Sequence, residues 1–239
     1  MKVLVLGDTH GRTAWEKIVA NESFDKIIFI GDYVDTHEDI TPLQQKLNLE
    51  NILKYVRENK DKVVMLLGNH DFHYLRYSME EYSRYQSVMQ YDFQQLIQGG
   101  IDEGLITVAH QHEQFLFTHA GVTKTWCEYA SIDMDNIVES INERFITQPS
   151  FFRFTMGKTY SRYGDDITQP PIWVRPKSLM MDKVPGYIHI VGHTTVKRIS
   201  SKEDYEGIRL IDTLGESGEF LVIENGEETI KSIKDYESN

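Results

Sequence analysis

Cysteine is nearly absent from this sequence. Cys127 is the single one in 239 residues, so no disulfide can form within the chain. Such usage suits a reducing compartment. No patterned partner stands near Cys127 to activate its thiol, and we do not expect it to be a nucleophile.

Long apolar runs are also absent, since none approaches the ~20 residues that cross a bilayer. The apolar start, residues 1–6, stops at Gly7-Asp8. It is too short for the apolar region of a signal peptide and indicates a buried first strand. We therefore expect a cytoplasmic protein that does not associate with membranes.

Basic residues are in the minority, with 25 Lys and Arg against 37 Asp and Glu and a net charge of −12. This charge weighs against nonspecific binding to nucleic acid or anionic membranes, although bound divalent cations reverse the local field. A hydrophobic fraction of 40% suits a folded chain. One domain over residues 1–239 is sufficient at this length, and no obligate protein partner is evident.

Helical patterns alternate with apolar strand patterns through the first hundred residues. Trp15, Ile18 and Val19 indicate a helix after the first strand. A second helix is predicted by the spacing i, i+3, i+4, i+7 of Leu49, Ile52, Leu53 and Val56. A third is predicted over residues 82–96, ending at Gly99-Gly100, by the apolar positions Tyr82, Tyr85, Met89, Phe93 and Leu96.

Strand patterns dominate the second half. Residues 105–109 and 114–117 are predicted to be consecutive strands, and 208–211, 219–223 and 228–233 a late β-meander with a turn at Asn225-Gly226. The expected fold class is α/β, a four-layer α/β/β/α sandwich of two packed mixed sheets flanked by helices. Five of the six prolines lie between residues 149 and 185, where we expect a loop-rich rim over the site.

Six short polar clusters stand out, and nearly all follow an apolar run. Side chains at the carboxyl ends of strands in one sheet converge on one rim, where open α/β folds place their sites. We therefore predict a metal site with room for two ions on that rim. Its candidate ligands are Asp8, His10, Asp32, Asn69, His119 and His193.

The donor types restrict the metal. Asp8 and His10 are two residues apart and can reach one ion, whereas Asp32 can bridge two ions with its two carboxylate oxygens. Oxygen and imidazole donors without a thiolate fit Mn, Fe or Zn better than Ca or an iron–sulfur cluster, and we expect Mn. Two such ions ~3.5–4 Å apart can hold a bridging hydroxide and clamp a phosphoryl group.

The clusters together resemble the calcineurin-like metallophosphoesterase signature: D-x-H, G-D-x-x-D, G-N-H-D, a later lone His, and G-H-x. The resemblance spans residues 8 to about 213 in the family's order. The phrases FTHAGV and VGHTTV resemble the phosphoprotein phosphatase branch, which includes bacterial and phage Ser/Thr phosphatases and symmetrical diadenosine tetraphosphatases. Thr195 stands where many other members carry a second His, and Leu214 replaces the Gly of the branch's D-T-G segment.

The resemblance implies a role for each residue. Asp8, His10 and Asp32 would hold the first metal, and Asp32, Asn69, His119 and His193 the second. His70 would be the general acid that protonates the leaving oxygen, oriented by Asp35. Arg175 resembles a phosphate-clamping arginine, with Arg153 and Arg162 as alternatives.

One departure concerns the Arg that usually follows the second Asp of G-D-x-x-D. Here Thr36-His37 follows Asp35, and Thr36 carries no charge. We expect His37 to be a loop residue; when protonated it would replace the lost charge in part. The departure disfavours a strict phosphoprotein phosphatase and favours a nucleotide or small-metabolite ester.

The expected function is a phosphoesterase that hydrolyses phosphomonoesters, either phosphoprotein or small molecule. The alternatives are a diadenosine polyphosphate hydrolase, a phosphodiesterase or a nuclease, the last disfavoured by the acidic charge. An inactive binding scaffold is a further alternative. It is disfavoured because His70 and all six candidate ligands are present.

Overall fold

Two mixed β-sheets lie at the centre of the computed structural model, which describes residues 1–79, 81–157 and 165–236. Arg162, one alternative to Arg175, lies outside these described residues. The first sheet has the order β10-β9-β1-β2-β3-β4. Its strands are β1 (Lys2–Leu6), β2 (Lys26–Phe29), β3 (Val63–Leu66), β4 (Ile106–Thr107), β9 (Glu219–Glu224) and β10 (Glu227–Ser232).

The second sheet has the order β5-β6-β7-β8. Its strands are β5 (Ala109–His112), β6 (Phe115–Thr118), β7 (Ile188–Val191) and β8 (Ile208–Leu210). Both sheets contain parallel and antiparallel pairs: β1 pairs parallel with β2 and antiparallel with β9, and β6 pairs parallel with β7 and antiparallel with β5.

Helices flank the sheets. They are α1 (Ala14–Asn21), α2 (Pro42–Glu58), α3 (Asn69–Phe72), α4 (Gln90–Asp102), α5 (Lys124–Ala130), α6 (Ile137–Thr147) and α7 (Pro176–Asp182), with 3-10 turns at Ser87–Met89, Pro149–Phe152 and Ile233–Tyr236. The first two predicted helices are confirmed as α1 and α2. Thr41, the residue before Pro42, forms a reciprocal capping box with Gln44, which explains the start of α2.

The alternation of side chains along β1 divides the core into layers. Val3 and Val5 point to one face of the first sheet and pack against Phe117 and Ile190 of the second. Leu4 and its outward-facing neighbours pack against the helical layer in a separate cluster. The predicted α/β/β/α sandwich is therefore confirmed.

The predicted late meander is wrong. β8 pairs parallel with β7 in the second sheet, whereas β9 and β10 form a hairpin in the first. The hairpin turn itself lies at Asn225-Gly226, both with positive φ (52° and 78°), as its sequence predicts. Strand pattern identifies an extended segment but not its partner, which distant contacts decide.

The predicted strand over residues 105–109 is also divided between the sheets. β4 belongs to the first sheet and β5 to the second, and the chain crosses at Val108. The Asn142 side chain from α6 satisfies the backbone there: its Oδ1 accepts from the N–H groups of Val108 and Ala109 at 2.9 and 3.0 Å.

The third helix begins later than predicted. Residues 82–86 are not helical, because the Tyr82 and Gln86 N–H groups donate to the side chains of His73 and Tyr74 at 3.1 and 2.8 Å. At the other end, α4 continues through Gly99-Gly100 rather than stopping there. A Cβ at Gly100 would lie 2.7 Å from Ile106 Cδ1, so a larger residue there would have to displace the end of the Ile106 side chain.

Among the described residues, no helix combines the length and apolar character needed to cross a bilayer.

His189 in β7 is predicted to make the fold sensitive to acid. The side chain is fully buried, its Nε2 donates to the Val184 carbonyl at 3.0 Å, and its Nδ1 has no partner. Burial lowers the pKa of His189 to about 4. The neutral form is the folded form, so its contribution to stability is complete above the unfolded pKa of about 6.5 and is lost as pH falls towards 4.

His189→Gln keeps an N–H for Val184 and does not titrate. It should remove about 3 kcal/mol of the loss in unfolding free energy between pH 7 and pH 4. Urea denaturation at both pH values measures this, with His112→Gln on β5 as the matched control. An acid loss equal in wild type and His189→Gln would contradict the prediction.

Candidate metal centre

All six candidate ligands lie together, and each follows a strand. Asp8 follows β1, Asp32 follows β2 and Asn69 follows β3, while His119 and His193 follow β6 and β7. The expectation that they share the rim of one sheet is wrong, because the last two belong to the second sheet. The face-to-face packing brings the carboxyl ends of both sheets to the same end of the sandwich.

The local backbone at the centre is strained. His10, Asp32, Asp35 and His193 adopt positive φ angles of 45°, 50°, 63° and 59°. Residues other than glycine rarely adopt this region, and such conformations persist where surrounding structure fixes them. These turns redirect the side chains inward immediately after each strand.

Two glycines make room for the carboxylates. A Cβ at Gly68 would lie 2.1 Å from Asp32 Oδ1, and one at Gly192 would lie 1.9 Å from Asp8 Oδ1. No side chain fits at either distance. These glycines therefore allow the loops to approach the two aspartates closely.

Backbone carbonyls fix which nitrogen each histidine turns inward. His10 Nδ1 and His119 Nδ1 donate to the carbonyls of Val34 and Ile30 at 2.9 and 3.0 Å. His193 Nε2 donates to the Trp173 carbonyl at 3.1 Å. Because a carbonyl only accepts, the opposite ring nitrogen of each neutral imidazole carries a lone pair, which is the usual arrangement of metal-binding histidines.

Those lone pairs face oxygen atoms. His119 Nε2 lies 3.0 Å from Asn69 Oδ1 and 3.3 Å from Asp32 Oδ2, and His193 Nδ1 lies 2.8 Å from the same Asn69 oxygen. The buried Asp8 Oδ1 has no hydrogen-bond partner among the residues that the structure describes. Lone pairs that converge without protons between them suit a cation, so these residues fit a metal.

A second set of donors lies beside the first. His10 Nε2 is 4.0 Å from Asp8 Oδ2 and 3.9 Å from Asp32 Oδ2. Asp32 therefore faces both groups, Asp8 with His10 on one side and His119 on the other. This geometry permits two ions that share Asp32.

Electrostatics at the centre also favour cations. Burial, together with the charges of Asp212 and Asp32, raises the pKa of Asp8 well above its usual value. Burial lowers the pKa of His10 and, with Arg175 nearby, that of His193 further. Neutral imidazoles and crowded carboxylates are the state that a divalent ion stabilises.

Asp71 ties the loops that carry the ligands. Its carboxylate accepts from the N–H groups of Asp32, Tyr33 and Gly68 at 2.8–2.9 Å. Burial and the nearby Asp32 charge raise its pKa to about 7. Asp71 thereby fixes the turns that follow β2 and β3.

His70 and Asp35 form a pair beside the centre. His70 Nδ1 lies 3.1 Å from Asp35 Oδ2, and Asp35 is fully buried. Burial opposes a charge on His70, but the carboxylates of Asp32 and Asp35 outweigh it and raise its pKa. The N–H of His70 also donates to Asp32 Oδ1 at 2.9 Å, which fixes the pair against the ligand set.

Two further side chains reach Asp35. His73 Nε2 lies 2.5 Å from Asp35 Oδ2. Tyr74, not singled out by the sequence, donates to Asp35 Oδ1 at 2.6 Å. The available signal was spacing, because residues three and four after His70 share its side of a helical turn.

A cavity of about 450 Å³ opens over the centre. Arg175 lies on its wall, held by hydrogen bonds from Nη1 to the His193 carbonyl and to Thr194 Oγ1, both at 3.1 Å. Arg153 instead donates to the Tyr77 carbonyl at 2.6 Å, away from the lining. Between these two arginines, the structure favours Arg175 as the one that can meet a ligand.

His37 also lies on the cavity wall rather than in an uninvolved loop. Its Nδ1 accepts from Arg84 Nε at 2.9 Å. Burial and the positive charge of Arg84 lower the pKa of His37. A charged His37 in place of the missing arginine is therefore disfavoured.

The fold and the motifs that carry these residues agree with one protein family. The calcineurin-like phosphoesterase family matches residues 1–214 of the chain. The chain belongs to this family, as its motifs indicate.

Two curated relatives are symmetrical bis(5'-nucleosyl)-tetraphosphatases. The protein from Nitrosospira multiformis is 24% identical over 165 residues, which cover 64% of this chain and 54% of that protein. The protein from Haemophilus ducreyi is 23% identical over 136 residues, 53% of this chain and 47% of that one. The chain thus spans about half the length of the curated relatives it matches.

Two solved structures resemble the fold over 97% of this chain. A cold-active protein-tyrosine phosphatase from a Shewanella species has a TM-score of 0.60 at 17% identity, with 78% of its chain covered. A serine/threonine phosphatase from Saccharomyces cerevisiae has a TM-score of 0.52 at 13% identity, with 79% covered. At these identities the likeness establishes the fold alone.

Adding Mn²⁺ or Zn²⁺ to EDTA-treated protein should raise its stability, because the ions bind the folded donors and not the unfolded chain. At a hundredfold excess over Kd the gain is about 2.7 kcal/mol. Thermal unfolding and elemental analysis measure it, with about two ions bound per chain. Asp32→Asn should reduce both quantities, whereas the control His112→Asn should not; equal gains in the two variants would contradict the shared role of Asp32.

Proposed function

We propose that the chain hydrolyses phosphomonoesters at a centre of two metal ions. The observation that supports this most is the convergence of unprotonated histidine nitrogens and carboxylate oxygens beneath one cavity. The same cavity is lined by His70 and Arg175. The combination provides metal ligands, a proton donor and a phosphate-binding cation within one site.

Asp8, His10 and Asp32 would hold one ion, and Asp32, Asn69, His119 and His193 the other. Oxygen and imidazole donors favour Mn, Fe or Zn, and we propose Mn. When bound, the two ions supply a hydroxide nucleophile at neutral pH and neutralise charge on the phosphoryl group.

The side chains of this chain supply the rest. The planar guanidinium group of Arg175 lies on the cavity wall, and its shape would suit two phosphate oxygens and orient the ester. His70 donates a proton to the leaving oxygen from Nε2, because Nδ1 is directed to Asp35. Asp35 keeps that imidazole oriented and stabilises its charge.

The charges on the wall favour a single phosphate group over a polyphosphate. Among the described residues that line the cavity, Arg175 is the one permanently charged cation, while Asp32 and Asp212 are acidic. A chain of phosphates would need more cations than these described residues provide. The substrate is therefore proposed to be a small-molecule or protein phosphomonoester.

The second candidate is hydrolysis of a bis(5'-nucleosyl) tetraphosphate. The printed names of the two curated relatives favour it. The partial match to their length weighs against it, and so does the presence of one arginine among the described residues of the wall. An inactive scaffold is disfavoured because the candidate metal donors converge on one centre and because His70 and Asp35 form a hydrogen-bonded pair beside it.

We also propose a reducing, cytoplasmic setting. The support is the single cysteine, Cys127, which is buried and whose pKa burial raises to about 12. A thiol with a raised pKa is unreactive. One cysteine also forms no disulfide within the chain, which suits a reducing compartment.

His70→Asn should lower kcat on p-nitrophenyl phosphate in Mn²⁺ by ~10²–10⁴-fold, because the leaving oxygen loses its proton donor. Its metal content should match wild type, while Asp32→Asn should lose both metal and turnover. His112→Asn serves as the control with unchanged kcat. Wild-type protein that binds metal but hydrolyses no phosphomonoester would refute the proposed function.

The substrate class is tested by comparing kcat/KM on three esters. We expect p-nitrophenyl phosphate to exceed bis(p-nitrophenyl) phosphate and diadenosine tetraphosphate by at least about tenfold, since a tenfold ratio needs only about 1.4 kcal/mol of discrimination. Arg175→Lys should reduce kcat/KM on the monoester and so bring it closer to kcat/KM on the other two esters. A preference for the tetraphosphate would instead establish the second candidate.

A further inference from the structure

Asp35 is contacted by more groups than the proposed chemistry requires. Its buried carboxylate meets His70 at 3.1 Å, His73 at 2.5 Å and Tyr74 at 2.6 Å. Only the contact with His70 has a role in proton transfer. The other two contacts therefore call for a separate explanation.

The Tyr74 hydroxyl is fixed in direction. Its oxygen accepts the Gln86 N–H at 2.8 Å, so its own proton is available to Asp35 Oδ1. The ring is fully buried, stacked on Tyr85 at a centroid distance of 5.0 Å and edge-on to Phe93 at 5.0 Å. Tyr74 has no room to turn away from the carboxylate.

His73 is fixed in a similar way. Its Nδ1 accepts the Tyr82 N–H at 3.1 Å, which leaves the ring proton of the neutral imidazole on Nε2. That nitrogen lies against Asp35 Oδ2 in a contact too bent for an aligned hydrogen bond. A protonated Nε2 has no lone pair for a metal, so His73, His70 and Asp35 do not form another metal site.

Both contacts depend on one segment, residues 82–86. The backbone N–H groups of Tyr82 and Gln86 orient His73 and Tyr74, respectively, towards Asp35. Tyr74 occupies Oδ1 and so leaves Oδ2 facing His70. Without the tyrosine hydroxyl, a buried carboxylate oxygen would lose its strongest neutral donor, and the carboxylate would be free to rotate.

We propose that Tyr74, oriented by the 82–86 segment, is a positioning residue for the Asp35–His70 pair. It acts through Asp35 and does not touch the substrate. The inference rests on the proposed function in assigning proton donation to His70. It adds that the efficiency of this donation is set by a hydroxyl on the far side of Asp35.

The kinetic test compares leaving groups. An ester with a poor leaving group needs the proton from His70 more than one with a good leaving group does. In Mn²⁺-loaded protein, Tyr74→Phe should lower kcat by about tenfold on phenyl phosphate and less than about threefold on p-nitrophenyl phosphate, with KM unchanged. Tyr77→Phe, a nearby tyrosine that packs on Phe72 and Phe145, is the matched control.

A double variant separates positioning from general damage. In a His70→Asn background, Tyr74→Phe should have no further effect on kcat, because the residues act as a unit. An equal loss of kcat on both esters in Tyr74→Phe would overturn the proposal. So would a double variant in which the separate losses of kcat from the two substitutions multiply. His73→Gln, which keeps a donor towards Asp35, should retain more activity on phenyl phosphate than His73→Phe.

A proton NMR measurement does not depend on turnover. The downfield imidazole N–H resonance of wild type that His70→Asn removes reports the His70–Asp35 bond. Tyr74→Phe should shift or broaden it, and Tyr77→Phe should not. If wild type hydrolyses neither ester, the proposed function fails while this signal still decides the role of Tyr74; an unaltered resonance in Tyr74→Phe would refute that role.

Discussion

The burial of the Asp32 carboxylate is the constraint around which the centre is organised. Its N–H donates to Asp71, its carbonyl accepts the His10 N–H, and its two carboxylate oxygens face His70 and His119. Burial opposes its charge, but the neighbouring imidazole rings of His119 and His70 hold its pKa well below the usual value. Loops from both sheets are thus fixed by their need to satisfy one buried anion.

The strained backbone of the centre follows from this constraint. Four non-glycine residues with positive φ stand within the ligand loops, each at a cost of about 1–3 kcal/mol. Such conformations are retained because the apolar strands before them are fully buried and their N–H groups have buried acceptors. The rigidity of the sandwich therefore offsets the local cost of aiming the ligands.

That the candidate ligands would lie together could be predicted from sequence, because each follows a buried strand at a tight turn, as Asp8 after β1 and His193 after β7 illustrate. Sheet membership could not be predicted, since β4 and β5 are adjacent in sequence yet belong to different sheets. The late start of α4 was hidden for a related reason. The side chains of His73 and Tyr74 take the N–H groups of residues 82 and 86, and neither contact leaves a periodic signal.

Asp8 and His193 stand 185 residues apart and meet through the His193 N–H and the Asp8 carboxylate at 2.9 Å. Ions held between the loops of β1–β3 and those of β6 and β7 would join the two sheets as a cross-link does. Unlike a disulfide, which constrains the unfolded chain, such a cross-link would act only in the folded chain, because the ions would bind the folded donors. Metal release would then loosen the contact between the sheets. The concentration of free metal ions would therefore affect the stability of the folded protein as well as its activity.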